Sequence, residues 1–377
     1  PKSGCLPCHR IVFLKTHKTG SSTVTNILFR YGDKRNLTFV LGHHHLGWPS
    51  RFLASRTLPL SRQPNILCSH TRFNKKPMNW LFPPESSKYV TVLRNPVDHF
   101  ESTFNYYKLG RTFGFGTDPV NSLENFLERP ISFFNIFNNS YDKNRISFIR
   151  NLMMFDLGLS YRYFQNYTAV KNYINFLNKE FDLVMIMDYF DESLVLLKRL
   201  LCWEIDDILY VKLNERKANE KATRLSGRVQ DNIRRWNKAD VLLFNYFNAT
   251  FWKKVEREGS GFYEDLSAFR ERRLKIQKLC FESRTKIELI WGNKYVKSYS
   301  TRNNLNSSVK MLCKNLIKSE DSYLDELREK HMAELAPEIE EQTRIDDKTS
   351  WDVGKDLGYR ISSKKGPPLN KSLPTRP

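Results

Sequence analysis

Four consecutive apolar residues, Ile11 to Leu14, run directly into Lys15-Thr16-His17-Lys18-Thr19-Gly20-Ser21-Ser22-Thr23, and apolar residues then return at Val24, Ile27, Leu28 and Tyr31. The uninterrupted apolar run suits a strand buried on both faces, and the later spacing is helical. The stretch therefore reads strand, tight turn, helix. Such a unit opens an α/β fold with a mainly parallel central sheet flanked by helices. A turn of Lys18, Thr19, Gly20 and the hydroxyl residues Ser21, Ser22 and Thr23 at a helix start directs backbone N–H groups and the positive end of the helix dipole at one point. That point suits an anion, most simply a phosphate. The alternative reading is an ordinary strand-to-helix turn with a solvated lysine. A triphosphate-hydrolysing loop is disfavoured, because its lysine follows the glycine, whereas here Lys18 precedes Gly20.

Further apolar runs extend the sheet. Leu37–Leu41 is a candidate second strand, Asn65–Ser69 reads as a buried strand ending at His70, Lys88–Leu93 as another ending at Arg94, and Asp182–Met187 as the last. Chemistry in an open α/β sheet gathers at the carboxyl ends of its strands, which is where His70 falls, although a structural histidine is the alternative. After Arg94, Asn95 can cap a helix and Pro96 suits its first position, with Val97, Phe100 and Phe104 forming an apolar stripe. Gly110 to Ser140 reads as a loop with a short helix near Leu123–Leu127. Asn214–Arg224, rich in Lys and Arg, reads as a mobile basic segment, either a lid or a surface loop. Patterning weakens from Lys286 onward.

The chain of 377 residues carries 61 Lys and Arg against 41 Asp and Glu, a formal charge of +20, which implies an anionic partner. Nucleic acid is disfavoured: the basic residues are spread along the chain, with no zinc-finger spacing, basic zipper or RNA-binding aromatic signature. The chain starts at Pro1 with no membrane-length apolar run and reads as a segment of something longer. Sequons at Asn36, Asn138, Asn166, Asn248, Asn306 and Asn370 suggest a secretory route. Cys5-x-x-Cys8 invites a zinc or redox reading, but no second such pair follows, and no metal is expected. His43, His44 and His45 form a polar loop rather than a ligand set.

The order Lys18-Thr19-Gly20-Ser21-Ser22 resembles the 5′-phosphosulfate loop of Golgi carbohydrate sulfotransferases. Phe13 to Thr23, Cys68-x-His70-x-Arg72-Phe73, Asp188 to Leu197 with Cys202-Trp203, and Asn248 to Trp252 resemble the galactose 3-O-sulfotransferase family in particular. The resemblance spans about residues 11–327. It implies a P-loop-like sulfotransferase fold and the donor 3′-phosphoadenosine-5′-phosphosulfate, with sulfuryl transfer to the 3-hydroxyl of terminal β-galactose on a glycoprotein or glycolipid. A uronyl 2-O-sulfotransferase and a non-catalytic glycan-binding protein are the alternatives.

Carried over residue by residue, the resemblance implies that Lys18, Thr19, Gly20, Ser21, Ser22 and Thr23 hold the 5′-phosphosulfate. Arg94 and Ser102 would hold the 3′-phosphate, with His70 as general base and His17 an auxiliary. His45 and Trp48 would line the acceptor site, and Cys280 would pair with Cys313. It further implies a type II protein of the Golgi lumen whose anchor lies outside this chain. Residues 1–10 would then be a stem remnant, 11–330 the sulfotransferase domain and 331–377 a flexible tail.

Overall fold

The computed structural model describes residues 4–43, 46–138, 147–211, 225–290 and 294–337. Contacts divide the chain after Leu327 into two units. In the second, residues 328–337 are helical. All that follows concerns the first.

Its centre is a four-stranded, wholly parallel sheet in the order β2-β1-β3-β4. The strands are β1 (Ile11–Leu14), β2 (Ile66–Leu67), β3 (Lys88–Leu93) and β4 (Leu183–Ile186). Ile11 lies opposite both Ile66 and Lys88, and Val90 opposite Leu183. Every residue of β1 is completely buried, as an apolar run covered on both faces requires. Leu37–Leu41 is not a strand. It leaves a single parallel bridge, Phe39 to Ile66, because β2 is only two residues long and has little edge to offer.

Helices α1 (Ser21–Lys34), α2 (Lys75–Leu81) and α3 (Pro96–Tyr106) each follow one of the first three strands. The stretch expected as a loop from Gly110 is mostly helical, comprising α4 (Leu109–Thr112), α5 (Pro119–Glu128) and α6 (Pro130–Asn138). The cause is a second apolar core: Phe100 and Phe104 of α3 pack with Leu109, Leu123, Phe126 and, from later in the chain, Trp236. Then come α7 (Leu152–Asp156), α8 (Tyr167–Glu180), α9 (Phe190–Leu201), α10 (Gly227–Trp236), α11 (Lys238–Arg257) and α12 (Ser260–Cys280).

Beyond Lys286 the chain is also more ordered than its pattern suggests. An antiparallel hairpin, β5 (Phe281–Ile290) with β6 (Lys294–Thr301), precedes α13 (Ser307–Ile317). Residues 320–327 continue as helix. Two disulfides, Cys280–Cys313 and Cys5–Cys202, tie this region and the amino terminus down. Cys5 is thereby removed from any pairing with Cys8, which together with Cys68 remains a thiol. The basic stretch 214–224 and His44 and His45 lie outside the described residues. Among the described residues no helix is long and apolar enough to cross a membrane, and no three His, Cys, Asp or Glu side chains gather as a metal site.

Candidate active site

In this strand order the chain runs outward from β1 in both directions, so the loops leaving β1 and β3 meet beside each other at the carboxyl edge of the sheet. Lys15–Gly20 leaves β1 and Arg94–Asn95 leaves β3. The first loop is folded by its own hydroxyls. Thr16 Oγ1 donates to the carbonyl of Val92 on β3 at 2.6 Å, lies 2.8 Å from Thr19 Oγ1, and the Thr16 carbonyl accepts from Ser21 Oγ at 2.6 Å. Thr19 and Ser21 therefore commit their hydroxyls to the loop, and what they offer an anion is main-chain N–H. Thr23 is buried and Ser22 half-buried.

Two residues of the loop take left-handed backbone, Lys18 (φ 58°) and Gly20 (φ 76°). For lysine that conformation costs about 1–2 kcal/mol. Strain of this kind is retained where surrounding structure dictates a direction. Gly20 caps α1, with no side-chain cap on the helix start, and a Cβ there would lie 3.4 Å from Met187. Lys18 Nζ lies 3.5 Å from the centre of the Tyr106 ring, over its face.

Arg94 donates through Nη1 to the Lys18 carbonyl at 3.1 Å, so the two cationic residues are joined through backbone. Asn95 caps α3 as its sequence predicts, accepting from Val97 N–H at 3.0 Å. His99, Ser102 and Tyr106 are spaced three and four apart on α3 and share one face. Two of the three touch the β1 loop: Tyr106 under Lys18, and His99, whose Nε2–H donates to the His17 carbonyl at 2.9 Å. Ser102, nearly buried, lies between them on that face. Burial pushes the pKa of His99 down to about 4 against the opposing pull of the His17 carbonyl, so it serves this contact as a neutral donor.

Beside the cations stand two histidines. The rings of His17 and His70 stack with centres 4.0 Å apart and planes 15° apart. His70 Nδ1 lies 3.2 Å from the Lys15 carbonyl. A carbonyl only accepts, so Nδ1 carries the proton in this bond, and in the neutral tautomer so fixed Nε2 is the basic nitrogen.

One residue that sequence reading missed is Asp156. Its carboxylate, completely buried, accepts from His17 backbone N–H at 2.8 Å, from His17 Nδ1 at 2.9 Å and from Trp48 Nε1–H at 2.9 Å. Its only sequence signal is an acid set in the apolar run from Leu152 to Leu159. Trp48 in turn stacks with Phe148 at 4.8 Å, and Phe148 with Tyr107 at 3.8 Å, which makes an aromatic wall beside the histidines. Lys15 was also missed. Its side chain is buried and its ammonium is paired with Glu320.

Thus Lys18, Gly20, Arg94, Ser102, His17, His70 and Trp48 are brought together at one edge of the sheet. By contrast, the acids Asp191 and Glu192, at the start of α9, turn away to pair with Arg270. The arrangement presents cations and helix-start amides to an anion, and a basic imidazole nitrogen to a proton donor.

The profile of the galactose-3-O-sulfotransferase family matches residues 1–331. Galactosylceramide sulfotransferase of Bos taurus is 34% identical over 343 residues, 86% of this chain and 79% of that protein. Galactose-3-O-sulfotransferase 3 of Homo sapiens is 40% identical over 280 residues, covering 72% and 63% of the two chains. Galactose-3-O-sulfotransferase 2 of Sus scrofa is 33% identical over 352 residues, 88% of this chain and 86% of that one.

Proposed function

The chain belongs to the galactose-3-O-sulfotransferase family, and from that premise we propose that it transfers a sulfuryl group from 3′-phosphoadenosine-5′-phosphosulfate to the 3-hydroxyl of a terminal β-galactose on a glycoprotein or glycolipid. The carrying observation is the junction of two strand ends. Lys18 and Arg94, from loops leaving adjacent parallel strands, are bonded through the Lys18 carbonyl, with a stacked histidine pair beside them.

On this reading the domain of residues 11–330 has the P-loop-like sulfotransferase fold. The α1 amides from Thr19 to Thr23, with Lys18, hold the 5′-phosphosulfate, while Arg94 and Ser102 hold the 3′-phosphate. As the galactose O3–S bond forms, the bond from sulfur to the phosphate oxygen breaks and its electron pair stays on that oxygen, where Lys18 offsets the charge. The O3 proton passes to His70 Nε2. Trp48 and its aromatic neighbours supply an apolar surface for a sugar face. The protein works in the Golgi lumen, held by an anchor outside this chain, with residues 1–10 as stem and 331–377 as tail.

A second assignment of the base has its own support. His17 is oriented by the buried carboxylate of Asp156, an arrangement that fixes a tautomer with basic Nε2. Turnover with labelled donor on a β-galactoside panel, measured on wild type, Lys18→Ala, His70→Gln and His17→Gln, tests both. Lys18→Ala should fold and bind acceptor yet lose nearly all turnover. A loss of a hundredfold or more in only one histidine variant identifies the base. Normal turnover in a folded Lys18→Ala protein would reject the site, and turnover only on uronic-acid acceptors, or none at all in wild type, would reject the substrate.

A further inference from the structure

Helix α7, five residues long, is bonded to the loops leaving three strands. After β1, its Asp156 carboxylate holds His17. After β2, two residues beyond His70, Arg72 Nε donates to the Phe155 carbonyl at 2.8 Å, and Phe73 N–H donates to the Asp156 carbonyl at 3.0 Å. After β3, Arg94 N–H points at Met153 Sδ at 3.4 Å. A single turn and a half of helix cannot hold itself. It begins at Asn151 in left-handed conformation (φ 49°), with no cap from its own side chain.

What holds it is α11. Asp240, 1% exposed, accepts Met154 N–H on Oδ1 at 2.8 Å and Met153 N–H on Oδ2 at 3.2 Å. Asn237 Oδ1 accepts Asn151 N–H at 2.8 Å, and Asn151 Oδ1 accepts Asp240 N–H at 3.1 Å. Burial pushes the Asp240 carboxyl up to about 7, the two amide bonds oppose this, and the charge of Asp156 adds to it. A carboxylate kept in so unfavourable a place needs a positional reason.

We infer that Asp240 is a positioning residue for the reaction: by anchoring the amino end of α7 it sets the mutual placement of His17, the His70 loop and Arg94. Its bonds go to Asn151, Met153 and Met154 and not to the residues assigned to donor or acceptor, and a displacement of about 1 Å at reacting groups is enough to cost a hundredfold in rate. The inference rests on the sulfotransferase site assigned above.

The test is a cycle of Asp240→Asn, Asp156→Asn and the double variant, with kcat, acceptor KM, affinity for adenosine 3′,5′-bisphosphate and melting temperature measured on each. Asp240→Asn should lower kcat tenfold or more at temperatures well below its melting point. The double variant should be no slower than Asp156→Asn alone within twofold, because both changes break one chain of bonds. An unimpaired Asp240→Asn beside an impaired Asp156→Asn, or losses that multiply in the double variant, would overturn the inference alone. Wild-type turnover in Asp156→Asn would overturn it too, whereas normal turnover in a folded Lys18→Ala protein would overturn the site reading beneath it. Should Asp240→Asn fail to fold, Asn237→Ala, which cuts the adjoining link to Asn151, carries the same comparison.

Discussion

Replacing Arg94 by alanine perturbs two things whose sizes can be separated. The guanidinium is assigned to the 3′-phosphate, and a hydrogen bond to a charged group contributes about 1.5–3 kcal/mol, or about 12- to 160-fold in affinity. It also donates to the Lys18 carbonyl at 3.1 Å. Loss of that bond relaxes the loop by about 0.5–1.5 kcal/mol, or about 2- to 12-fold, whatever nucleotide is bound. Adenosine 3′,5′-bisphosphate should therefore weaken by the product of both factors, and adenosine 5′-monophosphate by the second alone. Titration calorimetry of both ligands on wild type and Arg94→Ala gives the ratio directly, expected at 12-fold or more. Ser102→Ala should behave alike with a smaller ratio and little effect on the monophosphate. Equal losses for both nucleotides in Arg94→Ala would refute the assignment and leave Arg94 as a brace for the loop.

Gly20→Ala should cost about 1–2 kcal/mol and weaken the bisphosphate, since φ of 76° disfavours any Cβ and Met187 is 3.4 Å away; a melting temperature and affinity both unchanged would contradict this. Serine at both Cys280 and Cys313, which close a loop of sequence separation 33, should lose about 3–4 kcal/mol in denaturant unfolding under oxidising conditions, and wild-type peptide mapping that found either thiol free would end the expectation. His99, neutral in the fold down to about pH 4 but with an ordinary value of 6.5 when unfolded, makes the unfolded chain bind more protons in that window. Stability should thus fall by about 3 kcal/mol as pH drops from 6.5 to 4, and His99→Asn should flatten that slope in unfolding titrations; an unchanged slope would rule the contribution out.

The two strand-to-helix turns proposed to hold the donor were legible as turns in the chain because they are made of local signals. An apolar run, a glycine at a turn and a helical stripe sit within one stretch at Ile11–Tyr31, and again at Lys88–Phe104. Asp156 was not legible, because its three donors come from Trp48 and His17, more than a hundred residues away. Helices α4 to α6 were obscured for a related reason: their apolar faces are complete only against Trp236 and Phe100. The Cys280–Cys313 pair came from family resemblance, whereas Cys5–Cys202, spanning 197 residues, had no local cue. Leu37–Leu41 misled because it has the burial of a strand, with Phe39 to Leu41 inside, while lacking a neighbour long enough to pair with.

Lys15 leaves the ribosome among the first residues of this segment, and Glu320, its counter-ion, is 305 residues behind it. At about 5–20 residues per second, that interval is about 15–60 s. Throughout it the ammonium of Lys15, the residue directly after β1, lacks its carboxylate, and burying it alone would be strongly unfavourable. The buried ion pair at the end of β1 is therefore completed only after the helix beginning at residue 320 has been made. A nonsense mutation just before that helix would leave every residue of the proposed site in the chain and still remove the counter-ion of Lys15.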